Sequence, residues 1–206
     1  SVVAGSVQQK TLVTMKRFVA EDALRILAER GCTLTSGNDT MYLMMLGSAE
    51  FARHDYVLRG GWAAASPSIM RRVADRFGAT ATVAAYGLSE ASPNICMSDC
   101  TAPLEDRIEG WMTPHPGLDV RIADPATGQE RTRGETGEIR VRGWCVMSGY
   151  HGKPEATAEA IGTDGYLRTG DLGVMRADGD MRFVGRLREI IRVGGENVAP
   201  SDIENV

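Results

Sequence analysis

The sequence predicts an α/β protein: a partial parallel α/β subdomain followed by a small, distorted antiparallel β-barrel subdomain. Two observations predict this order. Helical and strand patterns alternate through residues 1–102, whereas over residues 103–184 Gly and Pro become frequent and helical patterns become scarce. Residues 185–206 form a third region, because the composition changes again at Gly185.

Three helical patterns occur in the first region. Apolar residues spaced three to four apart predict one helix that ends before Gly31, and a cluster of apolar residues at 41–46 predicts another over about 39–52. The third helix is the best defined, because Ser66 is a suitable N-cap, Pro67 occupies the first helical position and Gly78 follows the last apolar residue.

Short apolar segments alternate with these helices and predict strands. Residues 56–58 and 80–85 flank the third helix, which gives the strand–helix–strand order of a parallel sheet. Alternation at 118–122 and 138–142 predicts antiparallel strands in the second region, with one short helix near 154–161.

Composition narrows the class of function. A net charge of −4 over 206 residues argues against non-specific nucleic-acid binding, which requires an excess of Lys and Arg. No apolar run approaches the roughly 20 residues of a membrane span, and no signal peptide is recognisable. The four cysteines lack the spacing of a zinc site, so we interpret them as thiols of a reducing, cytoplasmic compartment in preference to a metal or disulfide framework.

The first stretch that suggests chemistry is Tyr86–Pro93, directly after a predicted strand. Sheets of this class place ligand groups at the carboxyl ends of their strands. The carboxylate of Glu90 is a hard ligand that suits Mg²⁺, and the hydroxyl of Ser89 can donate to a phosphate oxygen. The alternative is a plain turn in which Ser89 caps a helix.

Two later stretches suggest binding of a nucleotide. Asp164–Gly173 contains three glycines and two aspartates, which predicts tight turns that present a carboxylate to ribose hydroxyls, or a hairpin with solvated acids. Gly185–Val198 carries Arg186, Arg188 and Arg192, whose guanidinium groups suit phosphate and ribose oxygens; the alternative is a solvated strand.

These stretches, in this order, resemble the adenylate-forming (AMP-binding) superfamily of acyl-CoA synthetases, firefly-type luciferases and peptide-synthetase adenylation domains. Tyr86–Glu90 is similar to its Tyr-Gly-x-Thr-Glu motif, with Ser89 in place of Thr. The other matching segments are Gly137–Gly143, Met147–Tyr150, Thr169–Asp171 and Gly185-Arg186.

The resemblance implies ATP, Mg²⁺ and coenzyme A as ligands. It implies that Glu90 coordinates Mg²⁺, that Ser89 contacts phosphate and that Tyr86 packs on adenine. It further implies that Asp171 holds the ribose hydroxyls with Arg186 beside it. The other implied nucleotide-binding residues are Gly60, Gly61 and Gly87, and the implied catalytic residues are Glu90, Ser89, Arg186 and Arg192.

An acyl pocket is also implied. Trp62 stands where a small residue is common in the family, so it either shortens the acyl tunnel or packs in the core. Together with the small Ala84 and Ala85, it suggests an apolar aliphatic or aromatic acid.

The third region resembles the start of a hinged C-terminal domain. Arg188 matches the hinge, and Gly194 and Gly195 match the turn of the thiol tunnel. The segment 194–200 resembles the acyl-CoA synthetase form, because the basic-Gly-basic pattern of peptide synthetases is missing. Luciferases share the synthetase pattern but are rare.

The resemblance therefore implies an acid–CoA ligase whose partners are a small carboxylic acid, ATP and CoA; a homo-oligomer is compatible with it. No Ser/Thr/Gly-rich phosphate loop precedes residue 86, no Gly-Lys segment follows residue 206, and Ser201 and Glu204 form a capping box at the C-terminus. We therefore expect a fragment with negligible adenylation activity alone. Alternatives are a carrier-protein-loading adenylation domain and a non-catalytic nucleotide-binding module. A Rossmann oxidoreductase is disfavoured, because no G-x-G-x-x-G follows a strand.

Overall fold

Two sheets organise the chain in the computed structural model, which describes residues 10–92, 94–188, 191–193 and 196–198, with side chains as far as Arg188. The first sheet contains β1 (Leu34–Asn38), β2 (Gly60–Ala64), β3 (Ala81–Tyr86), β4 (Cys96–Met97) and β5 (Thr113–Pro114) in that spatial order. Strands β1 to β3 are parallel, and β4 and β5 continue the sheet antiparallel.

The second sheet is an antiparallel meander. It contains β6 (Leu118–Ala123), β7 (Gly137–Gly143), β8 (Leu167–Met175) and β9 (Met181–Arg186). Register shifts in the β7–β8 and β8–β9 pairs distort it, as β-bulges do. A separate antiparallel pair, β10 (Ile191–Val193) with β11 (Glu196–Val198), follows. The predicted fold class is confirmed.

Helices cover the first sheet and edge the second. They are α1 (Ala20–Glu29), α2 (Asp39–Gly47), α3 (Pro67–Phe77), α4 (Leu104–Ile108) and α5 (Pro154–Ala160), with 3₁₀ turns at Ala49–Arg53 and Ser89–Ala91. Helix α3 begins and ends where its sequence predicts: Pro67 is its first residue, and Gly78 follows it in the left-handed conformation with φ +66°. Its N-cap Ser66 makes no capping bond; instead the Ser66 N–H donates to the Asp39 carboxylate over 2.8 Å.

The helix predicted over 39–52 is two elements. The chain leaves α2 at Ser48, whose backbone is extended with ψ 138°. The Ser48 hydroxyl then accepts the backbone N–H of Glu50 and starts the 3₁₀ turn. A serine that caps a new turn competes with continuation of the helix, and this signal was present in the sequence.

The strand predicted over 56–58 is wrong. The strand before α3 is β2, and the apolar residues that precede it pack as a loop. Tyr56 lies with its ring centroid 5.2 Å from that of Phe51 and 5.1 Å from that of Phe77. Leu58 is buried and Val57 is exposed, and strand pairing begins only at Gly60.

The predicted division at 102/103 stays a prediction. The structure continues the first sheet past that point, because β5 pairs with β4. No helix within the described residues has the length and apolar character required to cross a membrane.

Candidate functional site

A cleft of about 370 Å³ lies where the carboxyl end of β3 meets β8 and β9 of the second sheet. The residues that line it are Gly87, Leu88, Ser89, Glu90, Thr169, Asp171 and Arg186. Five of the residues predicted to bind or act on a nucleotide, from three distant stretches of the sequence, therefore face one cavity.

The turn after β3 delivers two of these side chains. The 3₁₀ turn Ser89–Ala91 ends at Ser92, the one described non-glycine residue with positive φ, at 53°. Leu88 is the N-cap of this turn, and the exposed Ser89 side chain makes no capping bond. The alternative in which Ser89 serves as a helix cap therefore finds no support in the described contacts.

Asp171 lies at the centre of the cleft and is only 5% exposed. The hydroxyl of Tyr86 donates to its Oδ2 over 2.9 Å, and Nε of Arg186 lies 3.4 Å from its Oδ1. Burial raises the pKa of Tyr86 well above its ordinary value, and the negative charge of Asp171 raises that pKa further. The phenol therefore stays protonated and acts as a donor to the carboxylate.

Backbone contacts hold Asp171 in place. Its N–H donates to the hydroxyl of Thr169 over 3.1 Å, and that hydroxyl donates to the carbonyl of Ile139 over 2.7 Å. The N–H of Gly170 donates to a carboxylate oxygen of Glu138 over 3.3 Å. The two residues directly before the aspartate are thus attached to the neighbouring strand β7.

Glu138 is itself held by a buried ion pair. Its other carboxylate oxygen lies 3.0 Å from Nε of Arg140, and both side chains are almost fully buried. A buried carboxylate needs such a partner, because an isolated charge away from water is strongly destabilising.

Glu90 is fixed at both its backbone and its side chain. Its carbonyl accepts the N–H of Met147 over 2.8 Å, and its Oε1 accepts the hydroxyl of Tyr150 over 2.9 Å. This hydrogen bond raises the pKa of the Tyr150 phenol. Among the described residues nothing donates to Oε2, so one oxygen of the carboxylate is left for a ligand.

The donor set fits a magnesium ion that arrives with a nucleotide. Mg²⁺ takes oxygen ligands and is held in such sites by one or two carboxylates, with phosphates and water completing the shell. Glu90 and the hydroxyls of Ser89 and Thr169 supply oxygens at the cleft. No group of three or more His, Cys, Asp or Glu side chains in the described part of the chain forms a self-sufficient metal site.

The glycines predicted to approach adenine lie inside β2, away from the residues that line the cleft. Gly60 pairs with Leu34 on one side and with Ala81 on the other. A Cβ at Gly61 would lie 1.5 Å from the carbonyl oxygen of Thr35. Close strand approach alone explains both glycines, and their nucleotide-binding role stays a prediction.

The predicted acyl-pocket residues lie on β2 and β3, also outside the lining of the cleft. Trp62 is 41% exposed, so it is not a core residue of the described chain. Ala84 is buried and pairs with Ala63, and Ala85 pairs with Met97 of β4. Their role in an acyl pocket stays a prediction.

The hinge and tunnel predictions fall at or beyond the end of the described side chains. Arg188 is exposed directly after β9. Arg192 belongs to β10, but its side chain is not described, and Gly194 and Gly195 lie outside the described residues. The capping box at Ser201 lies outside them as well.

Three residues that contact the site were not predicted from the sequence. Phe183 on β9 is 40% exposed, and its ring lies on that of Tyr86 with centroids 5.8 Å apart. Tyr150 and Glu138 hold Glu90 and the Asp171 turn. Both residues lie inside segments that match family motifs. No local pattern in the sequence, however, indicates which distant group each of them contacts.

Comparison with known proteins places the chain in a family. Residues 4–151 match the family described as AMP-binding enzyme. The chain is 37% identical over 197 residues to YngI of Bacillus subtilis, which is named as an acyl-CoA synthetase; the match covers 94% of this chain and 36% of YngI. It is 36% identical to the mitochondrial medium-chain acyl-CoA ligase ACSF2 of Bos taurus, over 87% of this chain and 30% of that protein.

A solved structure of an ATP-bound enzyme has a similar fold. The ATP-bound form of MatB from Rhodopseudomonas palustris superimposes with a TM-score of 0.81 at 27% identity, over 98% of this chain and 41% of MatB. The chain thus spans 30 to 41% of the length of these relatives. The cleft, the ordered motifs and these matches lead to one conclusion: the chain belongs to the AMP-binding enzymes, in the acyl-CoA synthetase branch of the adenylate-forming superfamily.

Proposed function

We propose that this chain provides the nucleotide cleft of an ATP-dependent ligase that joins a carboxylic acid to coenzyme A through an acyl-adenylate. One observation carries the proposal. Two carboxylates with different surroundings, Glu90 and Asp171, face the same cleft with the guanidinium of Arg186. Glu90 is the candidate that would bind the metal, and Asp171 is the candidate that would accept the ribose hydroxyls.

Asp171 is suited to the ribose. The hydroxyl of Tyr86 and the guanidinium of Arg186 contact its two oxygens, and a carboxylate has about four acceptor sites in all. We propose that the vicinal hydroxyls of the ribose donate to Asp171 beside these neighbours. Hydrogen bonds to a carboxylate are stronger than those between neutral groups.

Phe183 and Tyr86 provide an aromatic surface beside this carboxylate. Tyr86 is buried and stacked, whereas one face of Phe183 reaches the surface. We infer that adenine packs against this pair, with Phe183 making the direct contact, because a flat ring gains both dispersion and burial there.

Glu90 and Ser89 are suited to the phosphates. The free oxygen of Glu90 provides one metal ligand, and the exposed hydroxyl of Ser89 can donate to a phosphate oxygen. A bound Mg²⁺ would neutralise charge as a substrate carboxylate approaches the α-phosphate. Arg186, whose side chain is 64% exposed, is free to turn toward the same charge.

The proposal also names the class of acid and the thiol that accepts the acyl group. We propose an apolar acid, because Trp62, Ala84 and Ala85 are its candidate neighbours and one relative is named as a medium-chain ligase. Coenzyme A as the acceptor rests on the segment 194–200 and on relatives named for acyl-CoA. In a full-length enzyme that carries these residues, CoA-dependent release of AMP with an apolar acid would support both parts. Release of AMP only with a carrier protein, or a preference for amino acids, would contradict them.

Replacing Asp171 tests the nucleotide site directly. We expect calorimetry to show that the chain binds a non-hydrolysable acyl-adenylate analogue and that Asp171→Ala weakens binding by at least about tenfold, since a hydrogen bond to a charged group contributes roughly 1.5 to 3 kcal/mol. Asp171→Asn should also weaken binding while keeping an acceptor for Tyr86.

The matched control is Asp178→Ala in the β8–β9 hairpin, because this aspartate is exposed and lies at the opposite end of the strands. It should bind as the wild type does. Equal binding by Asp171→Ala, or no binding by the wild type at millimolar analogue, would contradict the proposal.

A further inference from the structure

The turn that carries Glu90 is attached to a segment of the second subdomain by three hydrogen bonds. The hydroxyl of Ser92 donates to the carbonyl of Cys145 over 2.9 Å. The N–H of Met147 donates to the carbonyl of Glu90 over 2.8 Å, and the hydroxyl of Tyr150 donates to Oε1 of the same residue over 2.9 Å. The first bond holds the side chain of Ser92, and the second holds the backbone of Glu90. Only the third reaches the carboxylate.

Tyr150 is itself fixed from behind by helix α5. Its N–H donates to the hydroxyl of Thr157 over 2.9 Å, and that hydroxyl donates to the carbonyl of Lys153 over 2.9 Å. Gly149 lies so close that a Cβ there would come within 2.7 Å of a methyl carbon of Thr157. The tyrosine therefore has an anchored backbone, and its hydroxyl extends from that anchor to Glu90.

This bond determines which oxygen of Glu90 is available. With Oε1 engaged by a phenol, the carboxylate presents Oε2 in one orientation. Orientation matters for Mg²⁺, which demands near-ideal octahedral geometry at short distances. Hydrogen-bond partners of ligating carboxylates orient them and tune metal affinity.

We propose that Tyr150 is a positioning residue that holds the Glu90 carboxylate ready for the divalent cation of a bound nucleotide. The inference rests on the proposed function, because it assigns a partner to the same metal ligand. It explains why a partly exposed tyrosine, 38% accessible, is anchored by a helix on one side and bonded to a carboxylate on the other. A tyrosine that only stabilises the fold would leave the magnesium dependence of binding unchanged.

The first experiment tests the contact without any nucleotide. The chain is labelled with [¹³Cζ]tyrosine, which gives five signals, and the Tyr150 signal is the one lost in Tyr150→Phe. At pH 7 we expect Glu90→Ala to shift this signal, because the phenol loses a charged acceptor. Tyr166→Phe is the matched control, since it removes a hydroxyl from another tyrosine–carboxylate pair, that with Asp119, outside the cleft. It should leave the Tyr150 signal in place.

The second experiment measures ATP binding by calorimetry over a series of Mg²⁺ concentrations. Tyr150→Phe should raise the Mg²⁺ concentration for half-maximal binding by about tenfold, the lower end of what loss of an outer partner costs a metal site. Saturating Mg²⁺ should restore wild-type affinity for ATP. Tyr166→Phe should follow the wild-type curve.

The outcomes distinguish the positioning role of Tyr150 from the proposed function of the cleft. An unmoved Tyr150 signal in Glu90→Ala, or an unchanged Mg²⁺ dependence in Tyr150→Phe, would overturn the role of Tyr150. If the wild type bound no ATP at any Mg²⁺ concentration, the proposed function would fail, and the labelled tyrosine would still decide whether Tyr150 holds Glu90.

Discussion

Two buried tyrosines show how the same residue can stabilise or destabilise the chain. Tyr86 is buried with its hydroxyl bonded to Asp171. Tyr42 is 1% exposed, and its hydroxyl finds no hydrogen-bond partner in the described part of the chain. A buried hydroxyl without a partner costs about 1 to 3 kcal/mol, whereas a bond to a charged acceptor contributes about as much.

The Tyr→Phe substitution should therefore have opposite effects at the two sites. Tyr42→Phe is expected to raise the free energy of unfolding by about 1 kcal/mol, and Tyr86→Phe to lower it by about 2 kcal/mol. Each variant serves as the control for the other, since both remove only one oxygen. Chemical denaturation measures both, and equal shifts of the same sign would contradict this reading of the contacts.

Tyr42 also predicts how the stability of the fold changes at alkaline pH. Burial raises the pKa of Tyr42 to about 12, whereas a tyrosine in the unfolded chain ionises near its ordinary value of 10. Between these values the unfolded chain loses a proton that the folded chain keeps, so stability falls as the pH rises. The advantage of Tyr42→Phe over the wild type should widen by about 1.4 kcal/mol per pH unit between pH 10 and pH 12 and stay constant below pH 10.

At the scale of elements, the pairing of β2 depends on two glycines, Gly60 and Gly61. It lies between β1 and β3, and at Gly61 the φ of +151° and the approach of Thr35 leave no room for a Cβ. Glycine usually weakens a strand, so its presence in a central strand signals close packing of backbones.

Gly61→Ala should disrupt this sheet. We expect a loss of about 3 kcal/mol or more, the upper range for overpacking, and a lower melting temperature by calorimetry. The control is Gly47→Ala at the end of α2, where a Cβ meets nothing within 4 Å. This change should be neutral or stabilising by up to about 1 kcal/mol. A Gly61→Ala protein as stable as the control would show that β1 and β2 separate without cost.

At the scale of the whole molecule, the cleft joins the two sheets. Tyr86 and Asp171 connect β3 with β8, and Tyr150, in the segment after β7, donates to Glu90 in the turn after β3. A ligand bound between them should therefore stabilise both sheets together. The gain expected at a hundredfold excess over Kd is about 2.7 kcal/mol.

Hydrogen exchange can detect this coupling. With saturating acyl-adenylate analogue we expect slower exchange in residues 86–92 and 167–172, on opposite sides of the cleft, while the exposed hairpin at 176–180 keeps its rate and serves as the internal control. Protection confined to one sheet would indicate that the ligand does not bridge the cleft.

The sequence by itself determined the elements whose signals are local. Helix α3 is predictable because Pro67 and Gly78 act on their own backbone. Two strands of the antiparallel meander, β6 and β7, are predictable because apolar and polar residues alternate at 118–122 and 138–142. The nucleotide-binding candidates followed from motif order, which depends on residue type and spacing alone.

Only the tertiary structure decided which of these residues meet. Segment 56–58 resembles a strand in sequence, but Tyr56 packs against the rings of Phe51 and Phe77. The glycines of β2 are required by the close approach of the backbones of β1 and β3. The partners of the site, Tyr150 on Glu90 and Glu138 beneath Gly170, are contacts across the fold. A hydrogen bond depends on distance in space, and a sequence specifies that distance only through the whole chain that folds around it.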